Sequence, residues 1–183
     1  RIAIFLTYIQ QTRFNPWQAL FPASSSTFLF DSYSRTQIQK EMIHFQQAWE
    51  QKSFKIALDC LTKILGLGIG LTPTGDDFIT GLLASFSALQ QLPSNFQQLA
   101  VLAKERTNAV SYAEIHEAVN ERFSQLVQRV FLSIESGNTN EMAQAVSALE
   151  EVGSTSGSDM LCGIIFGLKL FCEENNHDNS NSN

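Results

Sequence analysis

Two segments of the chain repeat a polar pattern suited to binding a small anion. Residues 74–81 read TGDDFITG and residues 156–163 read SGSDMLCG, an offset of 82 positions from 74 to 156. A hydroxyl residue, a glycine, an aspartate and a second glycine coincide at this offset. Such a match indicates a duplicated motif at the start of a helix, and two copies facing each other across a pseudo-twofold axis could build one site.

A glycine-rich loop precedes the first copy, with Gly66, Gly68 and Gly70 at alternate positions. Glycines cost chain entropy on folding, so the loop makes sense where backbone approaches a ligand. The free N–H groups at a helix start attract anions. Gly70 and Gly75 have GxxxxG spacing, but a P-loop follows a strand and carries lysine where this loop has Asp76. The loop is therefore not a nucleoside-triphosphatase signature.

Carboxylates at both helix starts decide what kind of anion could bind. Asp76, Asp77 and Asp159 would repel a bare phosphate, so a phosphorylated ligand requires a bridging cation. We predict Mg²⁺ held by Asp77 and Asp159, because this ion combines one or two carboxylates with phosphate oxygens. The alternative is a pair of capping boxes, with Thr74 and Ser156 as N-caps. Each cap would contribute about 1 kcal/mol and would need no ligand.

A third polar cluster lies between two predicted helices at Arg106, Thr107, Asn108 and Ser111. One interpretation is a helix start, with Asn108 or Ser111 as its cap. The other is a second wall of the site, in which Arg106 binds a carboxylate or phosphate. Spacing alone favours the cap.

The elements that must position these residues are helices. Apolar spacing from Ser34 onward predicts a mainly α domain, and the helices that open at the repeated motifs are apolar on all sides, so we expect them to form a buried central pair. Small residues four positions apart, Gly81 with Ser85 and Gly163 with Gly167, would let their backbones approach closely. The central helices are predicted at 78–89 and 160–172, and the others at 35–50, 53–65, 95–108, 111–135 and 139–151.

The two ends of the chain have a different composition. Residues 1–33 combine Ile, Phe, Thr and Tyr with Asn-Pro, Phe-Pro and a serine run, which predicts short strands and loops. We interpret them as the remnant of an upstream β-rich part, followed by a helical domain at 34–172. Residues 173–183 are rich in Asn and Ser and are predicted to be a disordered tail.

Composition limits the possible partners. The formal charge is −6, which argues against a nucleic-acid partner. The three cysteines show no CxxC spacing, which favours reduced thiols and a cytoplasmic location. No apolar run approaches the roughly 20 residues that span a bilayer, so no membrane partner is expected. No nucleophile elbow or HExxH metal motif is present.

Three blocks of the sequence resemble, in order, the conserved blocks of the AllH-like family. They are residues 66–78 with Gly81, residues 106–111 and residues 155–163, and the resemblance extends over about residues 35–172. One branch of that family is a subunit of oxamate carbamoyltransferase, which interconverts oxalurate plus phosphate with oxamate plus carbamoyl phosphate in allantoin breakdown. The resemblance implies such carbamoyl transfer here, together with other enzyme subunits.

Small anions of this kind require convergent N–H donors and a cation, with little need for a protein nucleophile. The leading hypothesis is an enzyme subunit that binds a small anionic metabolite. Its rivals are a non-catalytic ligand-binding or scaffolding subunit and a close-packed helical scaffold without a ligand. The predicted substrate-binding residues are Gly68, Gly70, Thr72, Thr74, Gly75, Asp76, Asp77, Arg106, Thr107, Asn108, Ser111, Thr155, Ser156, Gly157 and Asp159.

Overall fold

The structure is a computed structural model that describes residues 1–11 and 29–180. The described residues are mainly α-helical, as predicted, and contain no strand. A single 3-10 turn at Ser94–Gln97 accompanies the described helices. In chain order these are α1 (Ile2–Gln11), α2 (Leu29–Glu50), α3 (Phe54–Ile64), α4 (Thr74–Ala88), α5 (Gln98–Arg106), α6 (Ala109–Val119), α7 (Gln125–Ser136), α8 (Thr139–Glu150) and α9 (Ser156–Ser180).

The buried central pair is confirmed as α4 and α9. Gly81 and Gly163 make their contact possible, because a Cβ on Gly81 would overlap the carbonyl oxygen of Met160 and a Cβ on Gly163 would overlap that of Phe78. These two contacts are equivalent at the 82-residue offset, since Phe78 corresponds to Met160. The duplicated helices therefore pack about a pseudo-twofold axis, and Ser85 adds a hydrogen bond of 2.8 Å to the Ile164 carbonyl.

Two apolar clusters flank the central pair. On one side α2, α3 and α5 pack against the pair. There Trp49 of α2 stacks on Phe86 of α4 at 4.2 Å between ring centroids. On the other side α1, α7 and α8 pack against residues such as Leu161 and Ile165 of α9. Because both faces of the pair are covered, its helices are apolar on all sides. No helix among the described residues is long and apolar enough to cross a membrane.

The strand and loop prediction for residues 1–33 is wrong at 2–11 and 29–33, which are helical; residues 12–28 lie outside the described residues. Phe5 and Ile9 explain the first helix: they are four positions apart and both are buried, so tertiary packing overrides β propensity. The boundary proposed after residue 33 falls inside α2.

Two further predictions need correction. Residues 173–180 continue α9 rather than forming a disordered tail, with Glu173 accepting a hydrogen bond from Gln46 and Glu174 pairing with Lys52; residues 181–183 lie outside the described residues. The single helix predicted at 111–135 is two helices, because Ser124 caps the start of α7 by accepting from the Val127 N–H. The other predicted helices are confirmed to within a few residues, except that α2 begins earlier.

Alanine at Gly81 or Gly163 should destabilise the fold by at least about 2 kcal/mol, because the new methyl group would force backbone apart in a close-packed core. Urea unfolding of Gly81→Ala and Gly163→Ala would measure this loss. Ser147→Ala, an exposed position in α8, is the control and should change stability by about 0.5 kcal/mol or less. Wild-type stability of both glycine variants would contradict the close contact.

Candidate functional site

The two copies of the motif meet at their helix starts. Thr72, in the loop before α4, and Ser156, the first residue of α9, are hydrogen-bonded through their hydroxyl oxygens at 2.6 Å. This contact joins positions 84 residues apart in the sequence. The glycine loop and the start of the second motif are therefore in direct contact.

Asp77 lies at the centre of this junction. Its side chain is fully buried, and neither carboxylate oxygen has a hydrogen-bond partner among the described residues. Burial raises the pKa of Asp77 from 3.8 to about 7; the hydroxyls of Ser156 and Thr72 lower it, while Asp159 and Glu114 raise it. The two hydroxyls lie near the carboxylate but hydrogen-bond to each other. Asp77 is therefore a carboxylate whose strong hydrogen-bonding capacity is unused by its neighbours.

Asp159 occupies the equivalent position in the second copy. It is 2% exposed and raises the pKa of Asp77 through their like charge. Two buried carboxylates that repel each other are the arrangement a cation would relieve. No group of three or more His, Cys, Asp or Glu side chains within the described ranges could hold a metal ion.

Asp76 has a different, structural role. Its two oxygens accept hydrogen bonds from the Gly66 N–H at 2.7 Å and from the Thr107 hydroxyl. Burial raises the pKa of Asp76, and these bonds together with the Ser111 hydroxyl lower it. Asp76 therefore fastens the glycine loop to the turn between α5 and α6, and its oxygens are already engaged.

The capping box predicted at the first motif is wrong. Pro73 is the N-cap of α4, and Thr74 is already helical. Three N–H groups at the start of this helix are engaged: Gly75 donates to Leu67, while Asp76 and Asp77 donate to Pro73.

At the second motif, too, the hydroxyl residue lies within the helix instead of capping it. Ser156 begins α9 within the helix, and the Asp159 N–H donates to the carbonyl of the exposed Thr155. The Gly157 N–H donates to Val152. The backbone N–H groups of Gly75 and Gly157 are thus engaged by carbonyl groups of the chain itself and are not available to a ligand.

Most glycines of the motifs face protein rather than an open site. A Cβ on Gly68 would overlap the Thr74 backbone, and those on Gly75 and Gly157 would overlap carbonyl oxygens of the preceding helices. Gly70 differs, because a Cβ added there would meet no atom within 4 Å, while its φ of +98° favours glycine. Close backbone approach to a ligand therefore remains available at Gly70 alone among these four positions.

The third cluster is divided between capping and support. Asn108 is the N-cap of α6, accepting from Val110 and Ser111, and its amide donates to the Leu71 carbonyl at 2.8 Å. The Ser111 hydroxyl also donates to Leu71, so this turn holds the glycine loop in place. Arg106 donates to the Thr62 carbonyl on α3 rather than lining the Asp77 junction.

A protein-family model matches the part of the chain that carries these residues. The family model described as oxamate carbamoyltransferase subunit AllH matches residues 64–168, more than half of the 183 residues. The chain belongs to the AllH family. The matched segment of this AllH-family chain contains the glycine loop, the Arg106 turn and the start of α9. No solved structure matches the chain.

Sequence reasoning missed two residues near Asp77 in this AllH-family chain. Thr80 lies one turn further along α4, and its buried hydroxyl has no hydrogen-bond partner among the described residues. Glu114, on α6, contributes to the raised pKa of Asp77. A signal existed for Thr80, since it is a hydroxyl residue three positions after Asp77, on the same helix face. Glu114 could be placed only by the packing of α6 against α4.

Replacing Asp77 with asparagine should remove a pH dependence of stability. The raised pKa means that folded Asp77 holds its proton up to about pH 7. Its stabilising contribution is therefore complete below about pH 4 and lost as pH rises through 7. In EDTA, Asp77→Asn should gain stability relative to wild type between pH 5 and 8, by up to about 4 kcal/mol.

Urea unfolding at pH 5, 6, 7 and 8 would measure this difference. The exposed Asp59 on α3 offers the matched control Asp59→Asn, whose stability should follow wild type across the series. A constant difference between Asp77→Asn and wild type would show that Asp77 ionises as it does in the unfolded chain.

Proposed function

We propose that this AllH-family chain is an enzyme subunit that binds a small anionic metabolite together with a divalent cation. The specific reaction is carbamoyl transfer between carbamoyl phosphate and oxamate. One observation supports this above all: Asp77 is a buried carboxylate, unpartnered among the described residues, at the junction of the two motifs. The description of the matching family, a subunit of oxamate carbamoyltransferase, supports the choice of reaction.

A cation is needed because the junction is acidic. Asp77 and Asp159 are both buried, and the Arg106 guanidinium bonds elsewhere. A phosphate entering alone would be repelled by the ionised carboxylates. Mg²⁺ fits this pair, because it binds one or two carboxylates and completes its shell with water and phosphate oxygens. In the proposal Asp77 and Asp159 hold the ion, and the ligand supplies further oxygens.

The hydroxyls of Thr72 and Ser156 would orient the anion. They lie beside Asp77 and hydrogen-bond to each other. A hydroxyl both donates and accepts, so either one can turn to donate to a ligand oxygen while its partner retains the mutual bond. Gly70, with open space beside its backbone, lies in the same loop as Thr72.

Carbamoyl transfer makes modest demands on the protein. An acceptor nitrogen attacks the carbonyl carbon of carbamoyl phosphate, the nitrogen–carbon bond forms, and the carbon–oxygen bond to phosphate breaks. The leaving phosphate takes the bond's electron pair and the proton released from nitrogen. Positioning and stabilisation of the anionic leaving group are the main contributions required, and a divalent ion supplies the latter when bound.

A non-catalytic ligand-binding subunit is the second candidate. The specific observation in its favour is that Arg106, the side chain expected to bind a carboxylate or phosphate, donates to the Thr62 carbonyl instead. In that case partner subunits would supply the missing groups. Turnover restored by a co-purifying chain would identify this arrangement.

Thermal unfolding with Mg²⁺ and carbamoyl phosphate tests the proposed site. A ligand that binds the folded state at one hundred times its dissociation constant adds about 2.7 kcal/mol, which corresponds to several degrees in Tm for a chain of this size. At pH 8 we expect Mg²⁺ plus carbamoyl phosphate to raise the Tm of wild type. The increase should be smaller at pH 6, where Asp77 is protonated and must release its proton to bind the ion.

Asp77→Asn should abolish the Tm increase, and Thr72→Val should reduce it while Thr72→Ser retains it. Asp59→Asn should respond as wild type does. An unchanged response of Asp77→Asn to both ligands would exclude Asp77 as a cation ligand. No increase for wild type with any combination of Mg²⁺, carbamoyl phosphate and phosphate would count against the site.

A further inference from the structure

The three segments that meet at the Asp77 junction contain no charged residue. They are residues 66–75, 107–113 and 152–158, and none of their positions is Asp, Glu, Lys, Arg or His. Charged residues make up 16% of the chain, so their absence from all three segments is a property of this part of the surface. We call the three segments together the junction face.

Hydrogen bonds join the junction face into one surface. The hydroxyls of Thr72 and Ser156 are hydrogen-bonded at 2.6 Å, and the Asn108 amide donates to the Leu71 carbonyl at 2.8 Å. The glycine loop therefore lies between the start of α6 and the start of α9. Because the loop is fixed on both sides, it loses little conformational freedom when a partner binds to it.

Large apolar side chains of the junction face are exposed. Leu71 is 75% exposed, Ile69 57% and Val110 45%. Leu71 and Val110 are neighbours, since Asn108 accepts from the Val110 N–H and donates to the Leu71 carbonyl. Contiguous exposed apolar surface on a folded chain marks an interaction site, and removal of these side chains from water favours association.

The composition of the junction face matches the core of a protein–protein interface. Such cores are depleted in charged residues and are surrounded by a polar rim. Here the charged residues Arg106, Glu114 and Glu151 directly flank the segments in sequence. Nineteen residues of the junction face are exposed or half-buried, close to the roughly 20–30 residues that each side of a standard interface contributes. The face is thus large enough for a stable dimer.

We propose that the junction face binds a second copy of this chain and forms a twofold-symmetric dimer. In such an interface the same patch meets itself, so charged side chains near the axis would face like charges. The chain has a formal charge of −6, and two copies repel each other least through a face that carries none of this charge. A different partner of basic character would instead engage the acidic surface outside the junction face.

Dimerisation would place the second copy beside the proposed ligand site. Leu71 directly precedes Thr72, whose hydroxyl lies near Asp77. A copy packed on Leu71 would shield the junction from water, and electrostatic interactions strengthen where water is excluded. The dimer goes beyond the proposed function and does not depend on it, because its assembly requires no ligand.

Sedimentation velocity of the chain without ligands tests the proposal. The wild type should be dimeric at about 10 µM, because interfaces of standard size have dissociation constants in the micromolar range or tighter. Leu71→Asp adds a charge to each copy of the face and should raise the dimer dissociation constant at least about a hundredfold. Val110→Asp should act in the same direction. Leu132→Asp is the matched control, since Leu132 is 61% exposed on α7, and it should remain dimeric.

Two further measurements separate association from folding. Because Leu71 and Val110 are exposed, both variants should keep the far-ultraviolet circular dichroism spectrum of the wild type. Hydrogen exchange of the wild type should slow at the amides of residues 69–71 as concentration rises through the dimer dissociation constant.

A monomeric wild type, or a dimer dissociated by Leu132→Asp instead of by the two junction-face variants, would overturn the proposal. A wild type that is monomeric alone but binds another enzyme subunit through Leu71 would also overturn it, and would assign the junction face to that subunit.

Discussion

The close packing of α4 against α9 is the constraint on which the rest of the structure depends. Gly81 and Gly163 admit the opposing backbone at equivalent positions, so the helices contact each other without intervening side chains. This contact fixes the relation between the two helix starts, because each start is three turns or less from its glycine. The hydrogen bond between Thr72 and Ser156 is a consequence of that geometry.

The two copies of the motif share this helix packing but differ in sequence at the helix starts. The first copy has two adjacent aspartates, and the second has Ser158 and Asp159 in their places. Asp76 has no acidic counterpart in the second copy, and its carboxylate accepts hydrogen bonds from Gly66 and Thr107 that hold the glycine loop in place. Asp77 and Asp159, the pair retained in both copies, are both buried at the helix starts. The residues shared by both copies therefore form the symmetric central pair, and Asp76, present in the first copy only, holds the glycine loop.

The free-energy cost of ionising Asp77 links the packing of α4 against α9 to the proposed chemistry. A buried carboxylate that receives no hydrogen bond from the described residues is costly when charged, which is why its pKa rises to about 7. The adjacent Asp76 does receive hydrogen bonds, from Gly66 and Thr107. The raised pKa of Asp77 therefore reflects its own position at the junction. A bound cation would stabilise the ionised form, and binding would then add stability that the unliganded fold lacks at neutral pH.

Helix prediction from the sequence succeeded where apolar spacing was regular and failed where tertiary contacts decided. The periodicity of residues 53–65 and the apolar character of the central pair are local properties, and all three helices formed as expected. Residues 2–11 have β-favouring side chains, yet burial of Phe5 and Ile9 makes them helical. The C-terminal residues after 172 are polar, yet they extend α9 and contact α2.

The sequence by itself determined the helical class, the duplicated motif and the pairing of its two copies. It could not distinguish Asp76 from Asp77, because adjacent helical residues point about 100° apart and only the packed neighbours show which carboxylate receives donors. Nor could it show that the N–H groups of Gly75 and Gly157 are consumed by backbone carbonyls. Tertiary structure decided these points because hydrogen-bond satisfaction and burial depend on residues distant in sequence.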